Sequence, residues 1–162
     1  RDVTVENGTL SNLQTADGGK TWTATFTAAA NVQDASNTIS VKDGSYTDLA
    51  GNVGTGNFIN YAIDNVAPSV VLSMSDQALK LGETAVVTFS FSEMVTGFDL
   101  RDVTVENGTL SNLQTADGGK TWTATFIATA NVDDASNTIS VKDGSYTDLA
   151  GNVGTGNFII YE

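Results

Sequence analysis

The residues of this chain best equipped for chemistry are oxygen donors. Asp64 and Asn65 stand just ahead of the only proline, Pro68, while Glu93 and Asp99 share one turn-rich stretch and Asp143, Asp148 and Asn152 another. Carboxylates and amides unaccompanied by Cys or His suit a hard cation: Ca²⁺ takes about six to eight oxygens, backbone carbonyls included, and needs no sequential motif. Catalytic chemistries fit less well. With no His and no Cys, a Ser or Thr nucleophile lacks its usual base. Lys80, Lys120 and Lys142 all fall in turns rather than apolar pockets. Asp133-Asp134 pairs two carboxylates, but neighbours in a turn read as a solvated loop rather than a glycosidase dyad. Gly119-Lys120-Thr121 lacks the glycine that a phosphate loop needs at position 114, which is Gln, and Gly151-Asn152-Val153-Gly154-Thr155-Gly156 misses the dinucleotide spacing.

Charge narrows the field of partners. The 162 residues carry 19 acidic against 7 basic side chains, a formal net charge of -12, with no basic cluster to attract a phosphate backbone or an anionic membrane surface. No apolar run approaches the roughly 18 residues of a membrane helix, and the first residues lack the basic-then-apolar pattern of a leader peptide. Neither nucleic acid nor membrane insertion is expected. Without Cys there is neither a disulfide framework nor a thiolate metal site, so stapling must come from a core or from hard cations.

Candidate ligands need elements to position them, and these come as a repeat. Arg1-Asp2-Val3-Thr4-Val5-Glu6-Asn7-Gly8 returns as residues 101–108, and the match runs to the end of the chain with five differences: Thr27/Ile127, Ala29/Thr129, Gln33/Asp133, Asn60/Ile160 and Ala62/Glu162. A period of 100 residues is a whole domain, too long for a solenoid turn or a propeller blade. The expected domains are a partial repeat, 1–62, lacking its first two strands, and a complete repeat, 63–162. The joint between them is residues 61–69.

Gly, Thr, Ser, Asn and Asp dominate the polar residues, which favours strands and turns over helices. Residues 84–92 alternate most clearly, placing Ala85, Val87, Phe89 and Phe91 inward. Residues 69–75 place Val70, Leu72 and Met74 inward, 102–106 Val103 and Val105, and 121–126 Trp122, Ala124 and Phe126. Residues 138–141 add Ile139 and Val141, and the closing strand adds Ile159 and Tyr161 with Ile160 outward. Asn107-Gly108 signals a hairpin between residues 102–106 and 109–115. The fold class expected is all-β: tandem Greek-key β-sandwiches of about seven strands per 100-residue repeat.

Five segments in this order resemble the bacterial Ig-like repeats of giant biofilm-associated adhesins exported by type I secretion. They are Ala67-Pro68-Ser69; Phe89-Ser90-Phe91-Ser92-Glu93 with Val95-Thr96-Gly97-Phe98; Asn107-Gly108-Thr109-Leu110-Ser111; Trp122-Thr123-Ala124-Thr125-Phe126; and Tyr146-Thr147-Asp148-Leu149-Ala150-Gly151-Asn152. The resemblance implies a non-enzymatic extender of an extracellular array on the bacterial cell surface, commonly rigidified by Ca²⁺ and serving adhesion or biofilm formation. Asp64-Asn65-x-Ala67-Pro68 also resembles the Asp-Asn-x-Pro linker of cadherins, with one extra residue before the proline; there Ca²⁺ stiffens the joint between β-sandwiches.

If strands alternate in direction, the loop of Glu93 and Asp99 and the loop of Asp148 and Asn152 share the pole where Asp64 and Asn65 enter. Asp64, Asn65, Glu93, Asp99, Asp148 and Asn152 are therefore the expected Ca²⁺ ligands, with Asp64, Glu93 and Asp148 foremost; Asp143-Gly144 reads as a turn. The alternative function is a carbohydrate- or surface-binding module, for which Tyr146 and Phe98 are the candidate aromatics. Neighbouring repeats are the expected partners. Strands from another copy, or strands preceding residue 1, are expected to complete residues 1–62.

Overall fold

In the computed structural model, which describes residues 1–162, every long element is a strand. The chain divides into two units, Arg1–Val66 and Ala67–Glu162. The first contains β1 (Val3–Val5), β2 (Gly8–Thr15), β3 (Trp22–Ala28), β4 (Gln33–Val41) and β5 (Asn57–Asp64). The second contains β6 (Val70–Met74), β7 (Thr84–Phe91), β8 (Val95–Thr96), β9 (Val103–Val105), β10 (Gly108–Thr115), β11 (Thr121–Ala128), β12 (Asn137–Val141), β13 (Thr147–Asp148) and β14 (Asn157–Tyr161). A short 3-10 turn, Leu100–Asp102, leads into β9.

Setting aside the two-residue strands β8 and β13, the second unit has seven strands in two antiparallel sheets, ordered β6-β7-β11-β10 and β9-β12-β14. First, second, fifth and fourth on one sheet, third, sixth and seventh on the other, is the constant-type immunoglobulin order, a Greek key. Period-two alternation decides which residues fill the space between them. Along β7, Ala85, Val87, Phe89 and Phe91 are buried, and across β11 Ala124 and Phe126 join them; Ile139 and Val141 of β12 answer from the opposite sheet. Each fully buried Val, Ile or Phe among them is worth about 1.5–3 kcal/mol of transfer free energy. One end of the core is aromatic: Phe98 meets Phe89, Phe91 and Trp122 edge-on at 5.2, 5.0 and 5.7 Å, and Tyr146 meets Phe91 at 4.8 Å. Ile160 points outward, exposed, between Ile159 and the buried Tyr161.

The hairpin expected at Asn107-Gly108 is not there. Asn107 does take the left-handed conformation that the dipeptide favours, with φ 47°, but the chain on either side joins different sheets. β9 pairs with β12, Val105 opposite Ile139, whereas β10 pairs with β11, Gly108 opposite Ala128. Asn107-Gly108 is thus a crossing between layers, and Gly108 is required because a Cβ there would run into the Phe126 ring. The hairpin of this region is β10–β11, where Asp117 accepts the N–H groups of Lys120 and Thr121. The stretch 93–100 and the stretch 142–156, expected as loops, hold the short strands β8 and β13.

The first unit repeats the second without counterparts of β6 and β7. It forms a three-stranded sheet, β1-β4-β5, and a two-stranded sheet, β2-β3, with the registers of the equivalent strands retained. Its boundary falls at Val66, past the repeat frame, because β5 continues to Asp64 opposite Gln33 and Asn65 closes on the loop before β4. Asn65 Oδ1 accepts the Val32 N–H at 2.8 Å, and its Nδ2 donates to the Ala29 carbonyl at 2.8 Å.

Candidate metal centre

Two loops of the second unit converge because short segments in each pair as strands. β8 and β13 run antiparallel, Thr96 opposite Thr147 and Val95 opposite Asp148. This brings the stretch after Glu93 beside the stretch holding Asp148. One carboxylate oxygen of Glu93 and one of Asp148 lie within 4.8 Å of each other. Like charges at this separation repel, and each carboxylate raises the cost of ionising the other unless a cation or hydrogen-bond donors intervene.

Asp148 already has such donors. It is almost wholly buried, and its Oδ1 accepts the Asn152 N–H while its Oδ2 accepts Asn152 Nδ2, both at 2.8 Å. Its own N–H donates to the Asn152 carbonyl at 3.1 Å, and Gly151, at φ 96°, makes the tight return possible. Burial pushes the Asp148 carboxyl up, but the bonds from Asn152 and from the Gly151 and Ala150 backbones outweigh it and hold the group below the ordinary carboxylate range. The loop is encoded locally. Asp48 and Asn52 of the first unit make the same two side-chain bonds at 2.8 Å although Asp48 is exposed; the complete sandwich adds burial.

The linker residue Pro68 is sewn to the same pole. Its carbonyl accepts the Thr155 N–H at 3.0 Å and the Tyr146 hydroxyl at 3.2 Å. Next to it, the Ser69 N–H donates to Ser92 Oγ at 3.0 Å and the Ser92 N–H donates to the Ser69 carbonyl at 2.9 Å. Chain entry, the residue before Glu93 and the strand leading to Asp148 are therefore fixed against one another. Ser92 and the β8–β13 pair escaped the sequence reading, since two-residue strands show no periodicity.

The remaining expected ligands sit otherwise. Asp99 caps the Leu100–Asp102 turn and holds the Arg101 guanidinium at 2.7 Å, which lowers its carboxyl below the usual range. Asn65 is tied to the Ala29 and Val32 backbones of the first unit. Asp64 ends β5, three residues before Ala67. Asp143 lies in the expected turn with Gly144, which takes φ 73°, and it accepts the Gly156 N–H at 2.6 Å across the base of the loop. Asp134 accepts the Ser136 N–H as a loop residue does. Tyr146 and Phe98, the aromatics on which sugar stacking would depend, are buried in the core.

A group held below its unfolded pKa stabilises the fold above that value, and the contribution is lost as pH falls through the folded pKa. In the second unit Asp148, Asp99 and Asp117 all have this sign, Asp117 being lowered to about 2. Its urea midpoint is expected to be level between pH 7 and about 5 and to fall below about pH 4. Asp148→Asn should blunt that fall. An unaltered acid profile in this variant would contradict the role given to the Asp148 carboxylate.

Two sheets in this strand order, closed around one core, define the class: an immunoglobulin-type β-sandwich, given once whole and once without two strands. The chain belongs to the family of bacterial Ig-like domains, whose model matches residues 1–63 and again residues 64–159. No curated protein matches the chain.

Proposed function

We propose that this chain is a non-enzymatic extender segment of a bacterial cell-surface adhesin, in which Ca²⁺ bound at the inter-module joint restricts bending between Ig-like repeats. The observation that carries the reading is the repetition of a whole domain at a 100-residue period with five differences over 62 positions. Near-identity between modules suits a part whose work is length. A recognition surface would be expected to differ from copy to copy.

The Ca²⁺ element rests on the chemistry of the second unit's entry pole. Glu93 and Asp148 offer two neighbouring carboxylates there, and Pro68, at the same pole, is four residues from Asp64. Four residues span at most about 14 Å, so Asp64 is within reach of a cation held by Glu93 and Asp148. The Asn152 side chain orients Asp148, as partners behind a metal ligand do. Ca²⁺ sites of extracellular modules have dissociation constants of roughly 10⁻⁴–10⁻³ M, and a ligand present at about 100 times its dissociation constant adds about 2.7 kcal/mol to stability.

Calorimetric titration of the 162-residue chain with CaCl₂ is expected to show binding that Glu93→Gln and Asp64→Asn each weaken at least about tenfold, or about 1.4 kcal/mol. Asp76→Asn, in an exposed turn, should leave it unchanged. Absence of binding, or equal binding by all three variants, would remove the metal from the account.

A further inference from the structure

β5 ends in a grip on its own unit. Its last residue, Asp64, stands opposite Gln33, and Gln33 Nε2 donates to Asp64 Oδ2 at 3.5 Å. Asn65 then turns back on the loop between β3 and β4. Its N–H donates to the Val32 carbonyl at 3.0 Å, its Oδ1 accepts the Val32 N–H at 2.8 Å, and its Nδ2 donates to the Ala29 carbonyl at 2.8 Å. The two side-chain bonds need a group that accepts and donates at once, which a carboxamide does and a carboxylate does not. The gripped loop is anchored in turn, because the Ala29 N–H donates to the Asn7 carbonyl at 2.8 Å. The chain therefore leaves the first unit fixed as far as Asn65.

The second unit takes hold at Pro68. Its ring sets φ at about −65°, the residue is buried, and its carbonyl accepts the Thr155 N–H and the Tyr146 hydroxyl. Ser69 follows, bonded to Ser92 in both directions. Between the two grips lie Val66 and Ala67. Neither bonds to a backbone group of either unit; the Val66 N–H reaches Asp64 Oδ1 at 3.4 Å, inside the linker itself. Ala67 is exposed and, standing before a proline, is pushed toward extended conformations. Two residues span at most about 7 Å, so this piece of chain can swing but hardly lengthen.

We infer that the linker bends at Val66 and Ala67 alone, Asn65 and Pro68 being the clasps that end the hinge on either side. Asn65 is a positioning residue, acting through the Ala29–Val32 loop on the direction in which the chain leaves the first unit. The limit comes from hydrogen bonds and a proline ring, and it holds whether or not a cation binds at the joint.

Relaxation of ¹⁵N and amide exchange on the 162-residue chain, recorded in chelator, test this independently of Ca²⁺. Order parameters are expected to fall below about 0.6 at Val66 and Ala67 and to stay at about 0.85 at Asp64, Asn65 and Ser69. Asn65→Ala should carry the low values back through position 65 to Asp64. The same variant should speed exchange of the Val32 amide about tenfold, the loss of roughly one hydrogen bond, with exchange across β11 unchanged. Order parameters of about 0.85 throughout residues 64–69, low values already at Asp64 or Ser69 in the parent, or an Asn65→Ala variant with the parent's profile would each overturn the inference.

Discussion

Phe126→Ala is expected to destabilise the second unit by about 3–5 kcal/mol, and Phe26→Ala, the same substitution in the same local sequence, to cost the first unit about 1–2 kcal/mol. Phe126 is sealed between the sheets, so truncation removes its transfer free energy and leaves a void that neighbours on two sheets fill only in part. Phe26 keeps the edge-on contact with Tyr61, 5.2 Å between centroids, just as Phe126 meets Tyr161 at 5.0 Å, but lacks a covering strand. The difference between the two costs therefore measures what β6 and β7 add. Because the units need not unfold together, a single transition is not assumed; exchange of the 22–28 and 122–128 segments in graded urea reads each separately. Equal costs in both units would mean that the first is as closed as the second.

Tyr146→Ala should cost the second unit about 3–5 kcal/mol, while Tyr46→Ala should cost the first much less. Tyr146 is 2% exposed, Tyr46 50%. The Tyr146 ring packs edge-on against Phe91, leaves no room for a Cβ at Gly154, and donates its hydroxyl to the Thr155 and Pro68 carbonyls. Burial raises its hydroxyl to about 12, so it remains a donor through the physiological range. Tyr146→Phe separates the two parts of this role: core packing is retained, and about 0.5–1.5 kcal/mol is lost with the hydroxyl. Urea midpoints of the three variants check this, and a Tyr146→Ala midpoint near that of the parent would contradict the core described above.

The strands were legible because alternation along them is strong. Val87, Phe89, Phe126 and Ile139 could be placed inward from period two alone, and Ile160 outward from its exchange with Asn60. Asn107-Gly108 was misread for a physical reason. The dipeptide specifies a left-handed residue, which Asn107 adopts, but not which strands flank it; that choice is made by Val103 and Val105, which bury against β12, and by the Phe126 ring, which admits only glycine at 108. At the candidate site, Asp148 and Asn152 were legible as oxygen donors of one loop but not as partners of each other, although their bonds are local enough to form in the first unit without a complete sandwich around them. The capture of Asp99 by Arg101 was not readable, since a pairing two residues apart depends on the 3-10 turn that Asp99 itself caps. Neither was the stitching of Ser69 to Ser92, which depends on how β6 and β7 end beside each other.

Under the proposed function, Ca²⁺ would convert the joint between Ig-like repeats from hinged to stiff. The direct measurement is the rotational correlation time of each unit by ¹⁵N relaxation, in millimolar Ca²⁺ and in chelator, on the parent chain and on Glu93→Gln. Two units joined by a free hinge tumble semi-independently and smaller bodies tumble faster, so the chelated chain is expected to give two short, unequal times. In Ca²⁺ the parent should give a single longer time shared by both units, with Glu93→Gln remaining in the hinged state. Identical times for the parent chain with Ca²⁺ and with chelator would contradict the stiffened joint.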